Sequence, residues 1–331
     1  MKLRIVLVAV GAAVLLTGAA RGQATRSPKG EFIYKTVGKR ELKLHVDYPT
    51  DWKAADKRPV IVFFFGGGWN SGTVGQFESQ AAYFASRGLV AARADYRVRS
   101  RDGVTPDKCV QDARSAVRWI RKNAEKLGVD PAKLIASGGS AGGHLAACTM
   151  IADSVDDPKD DLTISTIPAA MVLFNPVLNM SHERIIARLG DAKPLASKIS
   201  PIIHLDKKTP PALILFGTND GLKAHGDEYW AKAKKLGVRA DEYIAQGQGH
   251  GFFNRSPWRE RTTAAADKFL TSLGLLKGAP TIKTPTSQPS GRTRGGWTAK
   301  RLLAWWMAMD ADKDGKVARA EAKGKLVLCR G

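Results

Sequence analysis

Over most of the chain, apolar residues gather in short strand-length runs instead of a sustained alternation with polar ones. Such runs lie at 60–65, 89–94, 133–137, 169–174, 211–216 and 240–244, rich in Val, Ile, Leu, Phe and Ala. Runs of this length and composition predict strands buried on both faces. Helical spacing appears between them. Residues 76–87 carry Phe77, Ala81 and Phe84 on one face, 107–127 carry Val110, Ala113, Val117 and Ile120, and 226–236 carry Trp230 and Ala233. Strand and helix in alternation predict an α/β, doubly wound, mostly parallel sheet with right-handed crossovers and ligand chemistry at the carboxyl ends of the strands. Residues 176–209 break the pattern, with Asn179-Met180-Ser181-His182, a short helical stretch to Leu189 and Ile199-Ser200-Pro201-Ile202. An excursion at that place is expected to cover the site.

The two ends follow other rules. Lys2 and Arg4 precede an apolar run at 5–16, and Gly18-Ala19-Ala20 offers small residues for cleavage. That pattern predicts a signal peptide over residues 1–20 and a secreted or periplasmic protein with no stable membrane insertion, since the run is too short to span a bilayer. Near the other end, residues 277–296 are rich in Pro, Thr, Ser and Gly and read as a flexible linker, because such a stretch cannot bury a core. Residues 297–309 then show amphipathic helical spacing, and 310–321 have the spacing of a calcium loop. There Asp310, Asp312, Asp314 and Glu321 would supply carboxylates and Lys316 its carbonyl, with Gly315 at the sharp turn. Residues 297–331 thus resemble half of an EF-hand pair. Lys313, Lys316 and Arg319 oppose its attraction for Ca2+.

Composition adds bounds. The 331 residues, 44% hydrophobic, build a core without disulfides, and Cys109 and Cys148 read as small core fillers. A net charge of +21 favours contact with anionic polymers. No cluster of Lys and Arg interleaved with aromatics marks a nucleic-acid site.

The candidate chemistry sits at the ends of the apolar runs. Gly138-Gly139-Ser140-Ala141-Gly142 follows one run and opens a small-residue helical pattern, the setting of a nucleophile on a sharp strand-to-helix turn. The run ending at Phe65 leads into Gly66-Gly67-Gly68-Trp69, whose Gly67 and Gly68 amides, with that of Ala141, could receive a developing oxyanion. A third run leads to Gly217-Thr218-Asn219-Asp220-Gly221, and His250 follows in Gly249-His250-Gly251-Phe252. Ser140, Asp220 and His250 are therefore the candidate catalytic residues, with Asn219 and Asp227 as weaker candidates for the acid. His45, His182, His204 and His225 are expected in polar or loop-like surroundings. His144, one helical turn past Ser140, is expected to be a core residue.

In this order the motifs resemble those of the α/β-hydrolase superfamily, in its carboxylesterase group similar to hormone-sensitive lipases and bacterial acetylxylan or feruloyl esterases. The likeness runs from about residue 30 to 275, and an α/β-hydrolase catalytic domain over 28–276 is expected. One residue departs: the family usually has His before its glycine triplet, where this chain has Phe65. The resemblance implies a serine esterase that takes short acyl esters, O-acetyl groups on polysaccharide among them, and needs no cofactor for its chemistry. Two other readings of the same residues are a serine peptidase of this fold and a calcium-dependent binding protein on an inactive hydrolase scaffold.

Overall fold

A computed structural model describes residues 28–285. Eight strands form one sheet: β1 (Lys29–Val37), β2 (Arg40–Asp47), β3 (Arg58–Phe64), β4 (Val90–Ala94), β5 (Val129–Gly139), β6 (Ala170–Phe174), β7 (Ala212–Gly217) and β8 (Ala240–Ala245). Their spatial order is β1-β2-β4-β3-β5-β6-β7-β8. From β4 to β8 the pairings are parallel, whereas β2 pairs antiparallel with both β1 and β4. The helices are α1 (Glu78–Ser86), α2 (Arg99–Asp102), α3 (Pro106–Lys122), α4 (Ala124–Leu127), α5 (Ala141–Cys148), α6 (Glu183–Ile186), α7 (Lys223–Leu236) and α8 (Trp258–Ser272).

All six apolar runs are strands, and the reason shows in how each side chain is spent. Along β3, Val60, Val62 and Phe64 join a core shared with α3, α5 and α7, while Ile61 and Phe63 join a second core shared with α1 and α8. Alternate side chains thus face opposite layers, and both layers are dry, so no polar position interrupts the run.

Three features depart from the sequence reading. The β1–β2 hairpin was not among the expected strands: its signal is alternation, with Leu42, Leu44 and Val46 buried and Glu41 and Lys43 not. Gly38, at φ 59°, begins its two-residue turn, where a left-handed backbone suits glycine. The expected single helix over 107–127 is broken at Asn123, whose Nδ2 donates to the Trp119 carbonyl at 2.9 Å and so competes with the helical ladder. Helix α8 was also unforeseen. It is pinned to α1 by Asp267, which is fully buried and accepts from Arg87 Nε and Tyr83 Oη, both at 2.6 Å.

The start of the expected linker is held to the same helix. Arg87 Nη2 donates to the carbonyls of Lys277 and Gly278 at 2.8 and 3.1 Å, and the Thr281 amide donates to Tyr83 Oη at 3.1 Å. The expected signal segment, the linker beyond residue 285, Cys329 and the calcium-loop residues Asp310, Asp312, Asp314, Lys316 and Glu321 lie outside the described residues. Among the described residues, no helix is long and apolar enough to cross a membrane.

Candidate active site

Ser140 occupies the first position after β5 with φ 54° and ψ −117°, a left-handed backbone that a non-glycine residue adopts only at a cost. The turn closes because its flanks lack side chains. A Cβ on Gly138 would lie 2.4 Å from the Gly142 carbonyl oxygen, and one on Gly142 would lie 2.0 Å from that of Phe64. The Ser140 amide donates to the Phe174 carbonyl at 2.8 Å and fixes the turn to β6.

The loops after β7 and β8 bring Asp220 and His250 to this hydroxyl. His250 Nε2 is 2.8 Å from Ser140 Oγ, and His250 Nδ1 is 3.0 and 3.1 Å from the two Asp220 oxygens. Asp220 is buried, with 1% of its side chain exposed, while 42% of the His250 side chain faces solvent. The carboxylate is held from below: the Leu222 amide donates to Oδ1 at 2.9 Å and Asn175 Nδ2 donates to Oδ2 at 2.5 Å. Of the weaker candidates for the acid, Asn219 donates to the Gly247 carbonyl and Asp227 pairs with Lys223, so neither turns to the imidazole.

The glycine loop stands opposite. Gly67 and Gly68 have φ values of 128° and 63°, and a Cβ on Gly67 would lie 2.1 Å from the Ser71 carbonyl oxygen. The Gly66 amide is occupied, donating to Gln76 Oε1 at 2.5 Å. Among the described residues, no hydrogen bond takes up the Gly67 or Gly68 amide, and Ala141 begins α5, where an amide has no partner one turn back. Phe65, where the resemblance would place a histidine, is braced by Tyr96. Its ring stacks on Tyr96, centroids 4.0 Å apart, and the Tyr96 hydroxyl donates to the Phe65 carbonyl at 2.6 Å.

His144 is a core residue, fully buried, that ties three elements together. Its Nδ1 accepts from the Trp69 indole N–H at 3.2 Å, which leaves the proton on Nε2 to donate to the Ile199 carbonyl at 2.7 Å. Burial pushes its pKa down to about 4. His45 has the polar surroundings expected, 3.3 Å from Glu31 on the neighbouring strand, although it lies within β2. His225 departs from expectation: it is buried in α7, where Nδ1 accepts from the Leu178 amide at 3.3 Å and burial lowers its pKa to about 4.

Asn175, Gln76 and Arg188 were not anticipated. Asn175 follows β6 at φ 47°, and an Asn-Pro step after a buried run is its only sequence signal. Gln76 joins the glycine loop to the histidine loop, since its Nε2 donates to Asn254 Oδ1 at 3.1 Å and Asn254 Nδ2 donates to the Gly251 carbonyl at 3.0 Å. Arg188, from the irregular 176–209 segment, lines both clefts that open at Ser140. One, of about 470 Å³, runs past Gly67, Gln76, Phe253 and Asn254. The other, of about 340 Å³, runs past Val177, Ile185 and Leu222.

A serine, an imidazole and a buried carboxylate in series, at the carboxyl edge of a mostly parallel sheet and facing two free amides, define the class: an α/β-hydrolase acting as a serine carboxylester hydrolase. The comparisons agree. The chain belongs to the BD-FAE family, which it matches over residues 46–225. It is 32% identical over 243 residues to carboxylesterase NlhH of Mycobacterium tuberculosis, covering 68% of this chain and 75% of that one. A probable carboxylic ester hydrolase of the same organism, LipM, is 25% identical over 236 residues, 60% of this chain, which spans only 54% of LipM's length. Among solved structures, esterase 2 of Thermogutta terrifontis phosphonylated by sarin superposes with a TM-score of 0.72 at 42% identity, covering 77% of this chain and 98% of that one.

Proposed function

We propose that this protein hydrolyses short-chain acyl esters, O-acetyl groups on polysaccharide among them, through an acyl-enzyme on Ser140. The observation that carries the reading is the continuous contact from Ser140 Oγ through His250 to Asp220, opposite the unoccupied Gly67 and Gly68 amides. Ser140 Oγ bonds to the ester carbonyl carbon while its proton passes to His250 Nε2, and Asp220 holds the imidazolium that results. The carbonyl oxygen gathers negative charge, which the amides of Gly67, Gly68 and Ala141 receive. As the intermediate collapses, the carbon–oxygen bond to the alcohol breaks and the alcohol leaves with the proton from Nε2. Water then enters by the same steps and releases the acid. No cofactor takes part.

Two observations support a short acyl group: the modest clefts beside Ser140, and structures of the Thermogutta esterase bound to propionate and to butyrate. The test is labelling with a fluorophosphonate probe alongside hydrolysis of p-nitrophenyl acetate, butyrate and octanoate. Wild type is expected to label and to prefer the shorter esters, and Ser140→Ala to lose labelling and at least about 10³-fold in kcat. A folded wild type that neither labels nor hydrolyses any of them would overturn the reading.

Two further parts of the proposal rest on sequence. Export to the periplasm or medium is supported by the basic, apolar and small-residue pattern of residues 1–20, and the mature N-terminus checks it. Calcium binding at the Asp310 to Glu321 loop is supported by its ligand spacing. Calorimetric titration of the full chain should show Ca2+ binding that Glu321→Ala removes.

A further inference from the structure

Arg188 is the shared wall of three cavities: the two clefts at Ser140 and a smaller recess of about 80 Å³ behind the glycine loop. Arg99, at the start of α2, also lines the recess, with Gly68, Trp69, Asn70, Val104 and Pro106. Both arginines are exposed, and among the described residues neither has an ion-pair partner. The nearby arginines differ sharply. Arg97 is paired with Asp112 at 2.8 Å and Arg101 with Asp95 at 3.3 Å. Arg188 makes one long hydrogen bond, Nη1 to the Gly68 carbonyl at 3.4 Å, out of the five donors a guanidinium carries.

No Asp or Glu lines the recess or the larger cleft. Asp220, which borders the smaller cleft, is engaged by His250, Asn175 and Leu222. Two arginines without an ion pair, both lining one small space, favour an anion that accepts from both guanidinium groups. Gly68, the residue that Arg188 touches, also lines both clefts at Ser140, so the recess adjoins the space where the ester lies.

We propose that the Arg99–Arg188 recess is an anion subsite, and that the ester this enzyme prefers carries a carboxylate within reach of it. The proposal rests on the esterase reading above and narrows its substrate class. The carboxylate can come from the acyl or the alcohol portion of the ester, and paired substrates separate the two sources. The acyl arm compares the mono-p-nitrophenyl ester of glutaric acid with p-nitrophenyl valerate. The alcohol arm compares 4-acetoxybenzoate with methyl 4-acetoxybenzoate. Each rate is divided by the ester's own hydroxide-catalysed rate.

The expected result is an anionic-to-neutral preference in kcat/KM in one arm. Arg99→Gln and Arg188→Gln should each reduce that preference by about tenfold, and added salt should weaken it in wild type. Arg99→Lys keeps the charge without the fork and should fall between. Turnover of the neutral esters with no anionic preference in either arm would overturn the proposal, as would a preference indifferent to Arg99→Gln. Failure of all four esters together with absent fluorophosphonate labelling would instead remove the esterase reading on which it stands.

Discussion

At the level of single residues, the three candidate catalytic side chains were legible because each is announced by local backbone grammar. Glycines bracket Ser140, a turn follows a buried run at Asp220, and glycines flank His250. Asn175 had no comparable signal. Its importance comes from β6 lying beside β7 in the sheet, which sets its amide under the Asp220 carboxylate. That contact fixes the acid's orientation and, through it, the imidazole. Asn175→Gly removes the amide while suiting the left-handed backbone there, so the effect on chemistry is not confused with strain. The expected outcome is a kcat about tenfold lower, with KM within about twofold of wild type. An unchanged kcat would show that Leu222 and the protein around Asp220 hold the carboxylate without help.

At the level of elements, continuous apolar runs mark the buried parallel strands, and the β1–β2 hairpin carries no such run. Half of the hairpin's side chains face water, so its signature is alternation. Helix α8 was missed because Thr, Ala and charged residues dominate its sequence, though Ala266, Phe269 and Leu270 pack into the core under α1. The bridge at Gln76 could not be read at all, since it joins loops separated by more than 170 residues of chain. Its two hydrogen bonds align the glycine loop with the loop that carries His250. Gln76→Ala should therefore lower kcat/KM by about tenfold or more, from losing about two hydrogen bonds' worth of positioning, with a melting temperature close to wild type. Loss of thermal stability in step with activity would mean that Gln76 supports the fold rather than the site.

At the level of the whole molecule, stability depends on two histidines buried without charge. His144 and His225 protonate near pH 6.5 when exposed and only near 4 in the fold. Between those values the unfolded chain binds more protons than the folded one, so stability falls as pH drops through that window. For fully buried His144 the loss is on the order of 3 kcal/mol by pH 4. Urea midpoints measured from pH 7 to 4.5 should fall, and His144→Gln should flatten part of the slope. An identical slope in the variant would assign the effect to other groups. The sequence placed His144 in the core but misjudged His225, because burial there depends on how α7 meets the 176–209 segment.

The backbone at Ser140 has one more consequence. Alanine ordinarily stabilises a protein relative to glycine by narrowing the unfolded ensemble, yet at φ 54° its methyl group is the source of the discomfort. Both replacements discard the hydroxyl, so any difference between them reads out the torsion alone. Ser140→Gly should melt above Ser140→Ala. The feature that makes the turn reactive is thus a small permanent debt in folding, and an engineer who selected only for heat resistance would be led to erase the nucleophile.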